Sequence, residues 1–233
     1  MLRSVEANDL GQLELGSISV SIHEATISAP PDTARRVDGR RLRSERTRQA
    51  IIEAYLELLR RNPRMPTAAQ IAAEAGYSAR SIFERFSDLN ALTLATADYA
   101  IAQAQAEAEA RDIDADRPTR IRSHVATRAL ACERWMSLWR ILLATQDQLA
   151  ALKTRVMLTR LANIERMRLM YRAELSALAE PAREQLLLAL STLISFESWD
   201  QLRGCYGLSM EGAEDVWRSA IDRLLPPTSP VPS

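Results

Sequence analysis

From Ser44 onward apolar side chains recur at helical spacing, whereas the first 34 residues alternate small apolar and polar positions around Ile18, Val20 and Ile22. That opening stretch, closing at Ala29-Pro30-Pro31-Asp32, reads as a mobile tail with a transient strand. Ile51, Ile52, Tyr55, Leu56, Leu58 and Leu59 share one arc of a first amphipathic helix, which Asn62-Pro63 and Pro66 stop. Thr67 is then a good N-cap, and Gln70 stands where a capping box places its Glu or Gln. Gly76 fits a left-handed helix end, and Ser78 can cap a further helix beginning Ala79-Arg80-Ser81. Ser87 or Asp88 opens a long Ala-rich helix that runs to about Arg111. Further helices are expected over about 118–145, about 148–178, about 182–203 and about 209–225. Pro118 and Pro181 fall near first turns, and Asp147 and Ser209 are N-cap candidates.

No strand pattern competes beyond the tail, and the chain of 233 residues holds only 7 glycines, so the fold class is all-α. The spacing divides it into a tail with an Arg-rich arm over 1–43, a small helical unit over 44–104, a larger helical domain over 105–225, and a Pro-rich end over 226–233. The boundary between the helical units falls within the helix expected over 88–111.

Basic and acidic residues balance at 30 each, but not locally. Residues 1–34 carry 1 basic and 5 acidic side chains, residues 35–86 carry 12 and 6, and residues 87–233 carry 17 and 19. The basic block therefore covers the two short helices and their upstream flank. Cys132 and Cys205 stand in helical contexts without a Cys-x-x-Cys or a Cys/His cluster, so neither a disulfide scaffold nor a zinc site is expected. No apolar run is long enough for a membrane span, no secretory signal opens the chain, and a reducing cytoplasm fits. With two distant histidines, no Gly-rich phosphate loop and no nucleophile motif, neither catalysis nor a bound cofactor or metal is expected.

The stretch TAAQIAAEAGYSARSIFERF, Thr67 to Phe86, has the parts of a helix-turn-helix. Ile71, Ala72 and Ala75 form the inner side of its first helix, Gly76 makes the turn, and Ile82, Phe83 and Phe86 pack the second helix back. Ser78, Arg80 and Ser81 are left facing outward at the start of the second helix. An arginine there can donate two hydrogen bonds to guanine, and serine hydroxyls suit phosphates.

These residues resemble the TetR family of bacterial transcriptional repressors. Thr67, Ile71, Ala72, Ala75, Gly76, Ser78, Ser81, Ile82, Phe86 and Leu92 match the family's pattern, with Tyr77 in its Val position. The resemblance implies a three-helix DNA-binding unit over 44–104 and a helical effector-binding and dimerisation domain behind it. It carries DNA contact onto Thr67, Ser78, Arg80, Ser81, Phe83 and Arg85. Arg80 stands where the family has Gly, Pro or Ala, Phe83 replaces Tyr, Arg85 replaces His or Tyr, and Leu89 replaces Lys. The replaced Tyr and Lys are phosphate contacts in the family; Arg80, Arg85 and the arm Arg35, Arg36, Arg40, Arg41 and Arg43 can restore positive charge.

The resemblance further implies a homodimer on double-stranded operator DNA and a small-molecule effector. The helix expected over 182–203 is apolar all round and the next has one apolar half, which in family terms is a pair forming a four-helix interface. Its candidates are Leu190, Ile194, Trp199, Trp217 and Ile221, unless these belong to a large core within one chain. Trp135, Trp139, Met167, Met170 and Tyr171 suit a pocket for an apolar or aromatic effector, although helical spacing fits plain core for any one of them. His124 has no visible partner. The reading is a ligand-responsive repressor; the alternative is a helical ligand-binding or adaptor protein whose helix-turn-helix no longer binds DNA productively.

Overall fold

The computed structural model describes residues 32–107 and 111–227, with side chains from Arg41 onward. The expected strand around Ile18, the arginines 35, 36 and 40 as side chains, and the end from Thr228 lie outside it. Among the described residues the structure is helical throughout, with no strand.

The first helix, α1, spans Asp32–Arg61. It begins well before Ser44, so the arm is helical and not extended from Asp32 on. Residues 33–43 hold five arginines with Ala34 and Leu42 and no proline, and these helix formers outweigh the local cost of Gly39. The helix-turn-helix and the helices that follow it belong to one compact unit that begins at Arg43.

Within that unit α2 (Ala68–Ala75) and α3 (Ala79–Phe83) are short, and α4 (Leu89–Glu107) follows. Asp88 caps α4 by accepting from the Ala91 N–H at 2.8 Å. Ile51, Tyr55 and Leu59 of α1, Ile71 of α2, Ile82 of α3 and Leu92 of α4 are fully buried and form one core. Phe86 joins it beneath the Arg48 guanidinium, 4.5 Å from the ring centroid. The Tyr55 hydroxyl lies 3.0 Å from Thr93 Oγ1 and 3.0 Å from Met65 Sδ, tying α1 to α4. Burial pushes that phenol up to about 12.

Helix α5 (Arg117–Thr145) is the centre of the remainder, packing against α4, α6, α9 and α10. Asp116 caps it and Pro118 occupies its first turn. Helix α6 covers Ala150–Met170, and here the expected span of 148–178 is corrected. Leu149, not Asp147, stands at its N-cap, without a side-chain bond, and the helix stops at Tyr171 before the short α7 (Arg172–Leu175). The stop has a tertiary cause. Arg120 takes the Met170 carbonyl with Nη1 and grips Glu174 with both terminal nitrogens.

The helix expected over 182–203 is likewise three pieces: α8 (Glu180–Leu193), α9 (Phe196–Asp200) and a π-helical turn over Gln201–Cys205. At the first break Arg128 Nε donates to the Ile194 carbonyl at 3.0 Å, and Ser195 caps α9 through the Ser198 N–H at 3.1 Å. Nor is this region buried on every side, since Leu188 is 57% exposed. Helix α10 (Met210–Leu224) starts at the expected cap, Ser209, whose Oγ accepts from the Gly212 N–H at 3.0 Å. Its end is gathered by Arg117, which donates to Asp222 Oδ1 at 2.8 Å, Leu225 O at 3.0 Å, Pro226 O at 2.7 Å and also to Asp222 O.

Candidate functional site

Local chemistry sets the geometry from Thr67 to Phe86. The Thr67 hydroxyl accepts from the Gln70 N–H at 3.3 Å while Gln70 Oε1 accepts from the Thr67 N–H at 2.9 Å, a complete capping box. At the other end of α2, Gly76 sits at φ 71°, ψ 28°, and the Tyr77 N–H returns to Ala72 O at 2.9 Å. That left-handed residue turns the chain into α3. Ser78 starts α3 by accepting from the Ser81 N–H at 3.1 Å. The Arg61–Glu74 pair, with bonds of 2.9 and 3.0 Å, fastens α2 to α1.

The outward face of this hairpin holds Thr67, Ser78, Arg80 and Phe83, all exposed, with Ser81 partly covered. Phe83 is 50% exposed, which corrects its expected role in packing α3 inward; Ile82 and Phe86 do that alone. Arg80 extends to solvent, and its Nε donates to Glu84 Oε1 at 3.0 Å. An exposed pair one turn apart is weak and easily exchanged for another partner. Arg85 is held differently: its Nη1 donates to the Ser81 carbonyl at 2.9 Å, its Nε is buried without a partner, and it closes the end of α3. Tyr77 was not among the expected contacts, yet it is 40% exposed beside this face, in the position where its bulk departs from the family's Val.

Behind the hairpin lies a cavity of about 510 Å³ between α4, α5 and α6. Ala97, Ala100, Ile101 and Ala104 of α4 form one wall, Trp135, Leu138 and Trp139 of α5 another, and Leu158, Leu161 and Ala162 of α6 the third. Phe196 closes the side nearest α9, stacked on Trp139 at 4.6 Å between centroids. Trp139 Nε1 donates to Glu197 Oε1 at 3.3 Å. Polar groups also reach the cavity: Arg128, Asn163 and Arg166.

Of the expected effector contacts, Trp135 and Trp139 line this space and Met167, Met170 and Tyr171 do not. Those three are at most 2% exposed and belong to the solid core. The Tyr171 hydroxyl is 2.7 Å from His124 Nδ1, so the histidine has a partner that sequence did not reveal. The small residues on α4 and the arginines at 128 and 166 were missed. The available signal was a cation set into an otherwise apolar helical face, at Arg128 between Val125, Ala129 and Cys132.

The expected dimer contacts are corrected in the same way. Leu190, Ile194, Trp199, Trp217 and Ile221 are each at most 1% exposed in the single chain, so as it stands here they offer no surface to a second chain. Trp199 and Trp217 meet with ring centroids 4.6 Å apart, and their N–H groups donate to Glu133 and Ser198. The large-core alternative is the one the structure favours. Exposed apolar side chains on α8 and α10 are Leu188, Val216 and Leu224.

No protein-family model and no curated protein matches the chain. Among solved structures it is similar to a Rhodococcus sp. protein described as a TetR-family transcriptional regulator, at 18% identity and a TM-score of 0.59. The match covers 77% of this chain and 98% of that one. The chain has a TetR-like fold. In that TetR-like arrangement α2 and α3 are the helix-turn-helix, α4 leads from it along the cavity, and the remaining helices surround α5. Among the described residues no helix is long and apolar enough to cross a membrane, and no group of three metal-ligating side chains occurs.

Proposed function

We propose that the protein is a DNA-binding transcriptional regulator, acting in the cytoplasm as a ligand-responsive repressor that binds a (pseudo)palindromic operator as a homodimer. The observation that carries this reading is the double engagement of α4. Its first half shares the buried core that holds α1, α2 and α3 through Leu92 and is bonded to α1 by the Tyr55–Thr93 hydroxyl pair at 3.0 Å, and its second half is the cavity wall of Ala97, Ala100, Ile101 and Ala104. A molecule entering the cavity bears directly on a helix that shares its core with α1, α2 and α3. Ligand then shifts the population of reading-head arrangements to the extent that it prefers one of them.

Thr67, Ser78, Arg80, Ser81 and Phe83 form the proposed DNA-facing surface, with Arg85 positioning α3 through the Ser81 carbonyl. Trp135 and Trp139 are the proposed effector contacts from α5. For the dimer, Leu188 and Val216 replace the buried residues as proposed contacts. The reading assigns no enzymatic activity and no resident cofactor.

A second reading has one observation in its favour: Arg80 of α3 is paired with Glu84, and Arg85, just past its end, with the backbone, so both cations are engaged. On that reading the protein is a helical ligand-binding or adaptor protein. Fluorescence anisotropy with duplex DNA from upstream of its own gene separates the two. A regulator binds that DNA in preference to scrambled duplex, with affinity that falls steeply as salt rises. Equal affinity for both duplexes at matched salt rejects the regulator.

A further inference from the structure

The cavity is apolar over most of its wall, and the polar groups that reach it are chiefly donors: the partly covered Arg128 and Arg166, the buried Trp135 N–H and the amide of Asn163. Arg128 spends Nε on the Ile194 carbonyl and lays its guanidinium 4.5 Å over the Phe196 ring. Its two terminal nitrogens have no hydrogen-bond partner among the described residues. Arg166 has neither an ion pair nor a hydrogen bond there. The Trp135 indole N–H is buried and unpartnered, in a side chain that is 7% exposed. Asn163, 8% exposed, also lines the cavity with no hydrogen bond to its amide among the described residues.

Nothing on the wall neutralises this set. Glu165 lines the cavity but pairs with Arg168 at 3.2 Å and is mostly exposed. The hydroxyls of Thr127 and Thr159 are committed to the carbonyls of Ser123 and Arg155, at 2.9 Å each. Elsewhere the chain matches its covered arginines well, as in Arg120 with Glu174 and Arg203 with Glu133. Burial, and then the charge of Arg128, hold the Arg166 guanidinium below its ordinary pKa. Two partly covered cations against an apolar wall, with no anion paired to them among the described residues, offer a place for one.

We infer that the cavity takes an amphipathic organic acid, its carboxylate held by Arg128 and Arg166 and its apolar body lying against Trp135, Leu138 and Trp139. Charge-assisted bonds from guanidinium to carboxylate supply the head-group recognition, and Asn163 and the Trp135 N–H are further donors. The volume of about 510 Å³ suits a monocarboxylate of drug-like size or smaller. The inference rests on reading this cavity as the effector site.

The test is calorimetric titration of DNA-free protein with two acids, phenylbutyrate and decanoate, each against its neutral amide. At least one acid is expected to bind about tenfold or more tightly than its amide. Arg166→Gln is expected to reduce that ratio below about threefold while leaving amide affinity within about twofold; Arg166→Lys is expected to retain much of it. Because Arg166→Gln removes an unmatched charge, its unliganded thermal stability should hold or rise, which keeps the comparison interpretable. Equal affinities for acid and amide, a preference that survives Arg166→Gln, or no binding of either acid at about 1 mM overturns the inference. Acid-selective binding that leaves DNA affinity unchanged upholds it and removes only the regulatory reading.

Discussion

Arg120 and Glu174, 54 residues apart in sequence, meet inside the helical core through two parallel bonds of 2.9 and 2.6 Å. The Glu174 side chain is 0% exposed and that of Arg120 7%. Burial alone would raise the Glu174 carboxyl, but the hydrogen bonds and charge of Arg120 outweigh it and hold the pKa below the ordinary 4.5. The stability this contributes is therefore fully present above 4.5 and is lost as pH falls through the lowered native value. Glu174→Gln leaves Arg120 unmatched and is expected to cost about 3–5 kcal/mol at neutral pH, measured by urea unfolding. The gap to the unsubstituted protein should narrow in acid; a constant gap would count against the pairing.

His124 adds a second acid sensitivity over a different range. Burial, and after it the charges of Arg166 and Arg128, depress its pKa from 6.5 to about 3. The unfolded chain thus binds a proton that the native one refuses, and stability falls as pH drops from 6.5 toward about 3. The slope is at most about 1.4 kcal/mol per pH unit. His124→Gln should flatten the profile between 6.5 and 4.5, the part of the range above Glu174's ordinary pKa. Chemical denaturation at a series of pH values reads this directly, and an unchanged slope would refute it.

Gly76 owes its role to φ 71° alone, for a Cβ built there meets nothing within 4 Å. Gly76→Ala is therefore expected to cost about 1 kcal/mol from the left-handed backbone and Gly76→Asn less. Thermal melts check the order. If Ala and Asn are equally harmless, the turn between α2 and α3 is not holding that conformation.

At the proposed DNA surface, Arg80→Ala should weaken binding to the upstream duplex by about 1–3 kcal/mol if the arginine reads a base, with the loss concentrated at particular base pairs. A uniform loss across sequences, with a shallower salt dependence, would make Arg80 a phosphate contact. Substituted duplexes in the anisotropy assay tell the two apart.

Trp217 and Val216 are neighbours on α10 with opposite expected phenotypes. Trp217 is 0% exposed, and Trp217→Ala should cost about 3–5 kcal/mol of stability by opening a cavity. Val216 is 42% exposed, and Val216→Glu combined with Leu188→Glu should leave the melt nearly unchanged but lower the dimer fraction in sedimentation. An unaltered dimer fraction would remove these two residues from the interface.

The helix-turn-helix was legible because Thr67, Gln70, Gly76 and Ser78 act over three or four residues, so their spacing carries the instruction. Ser209 belongs to the same class. The breaks after Met170 and Ile194 were not legible, since no proline or glycine marks them. They are held by Arg120 and Arg128, which reach 50 and 66 residues along the chain to the Met170 and Ile194 carbonyls. The cavity was half legible for a related reason. Trp135 and Trp139 advertise an aromatic lining, but the space opposite them comes from alanines on α4, which sequence cannot tell from ordinary helix filler. Burial of Trp217 and Ile221 in one chain, not between two, depended on how α10 meets α5 and α8, a choice the amphipathic pattern leaves open.

The arginines of α5 also bear on how the chain can vary. Arg117 serves four oxygens at the end of α10, and Arg120 serves Ala115 O, Met170 O and both Glu174 oxygens. A lysine brings one nitrogen to such a place and would strand several carbonyls. In a chain where Lys153 is the only lysine, part of the preference for arginine is thus written into the architecture, and a drift of base composition toward lysine codons would meet resistance first at positions 117 and 120.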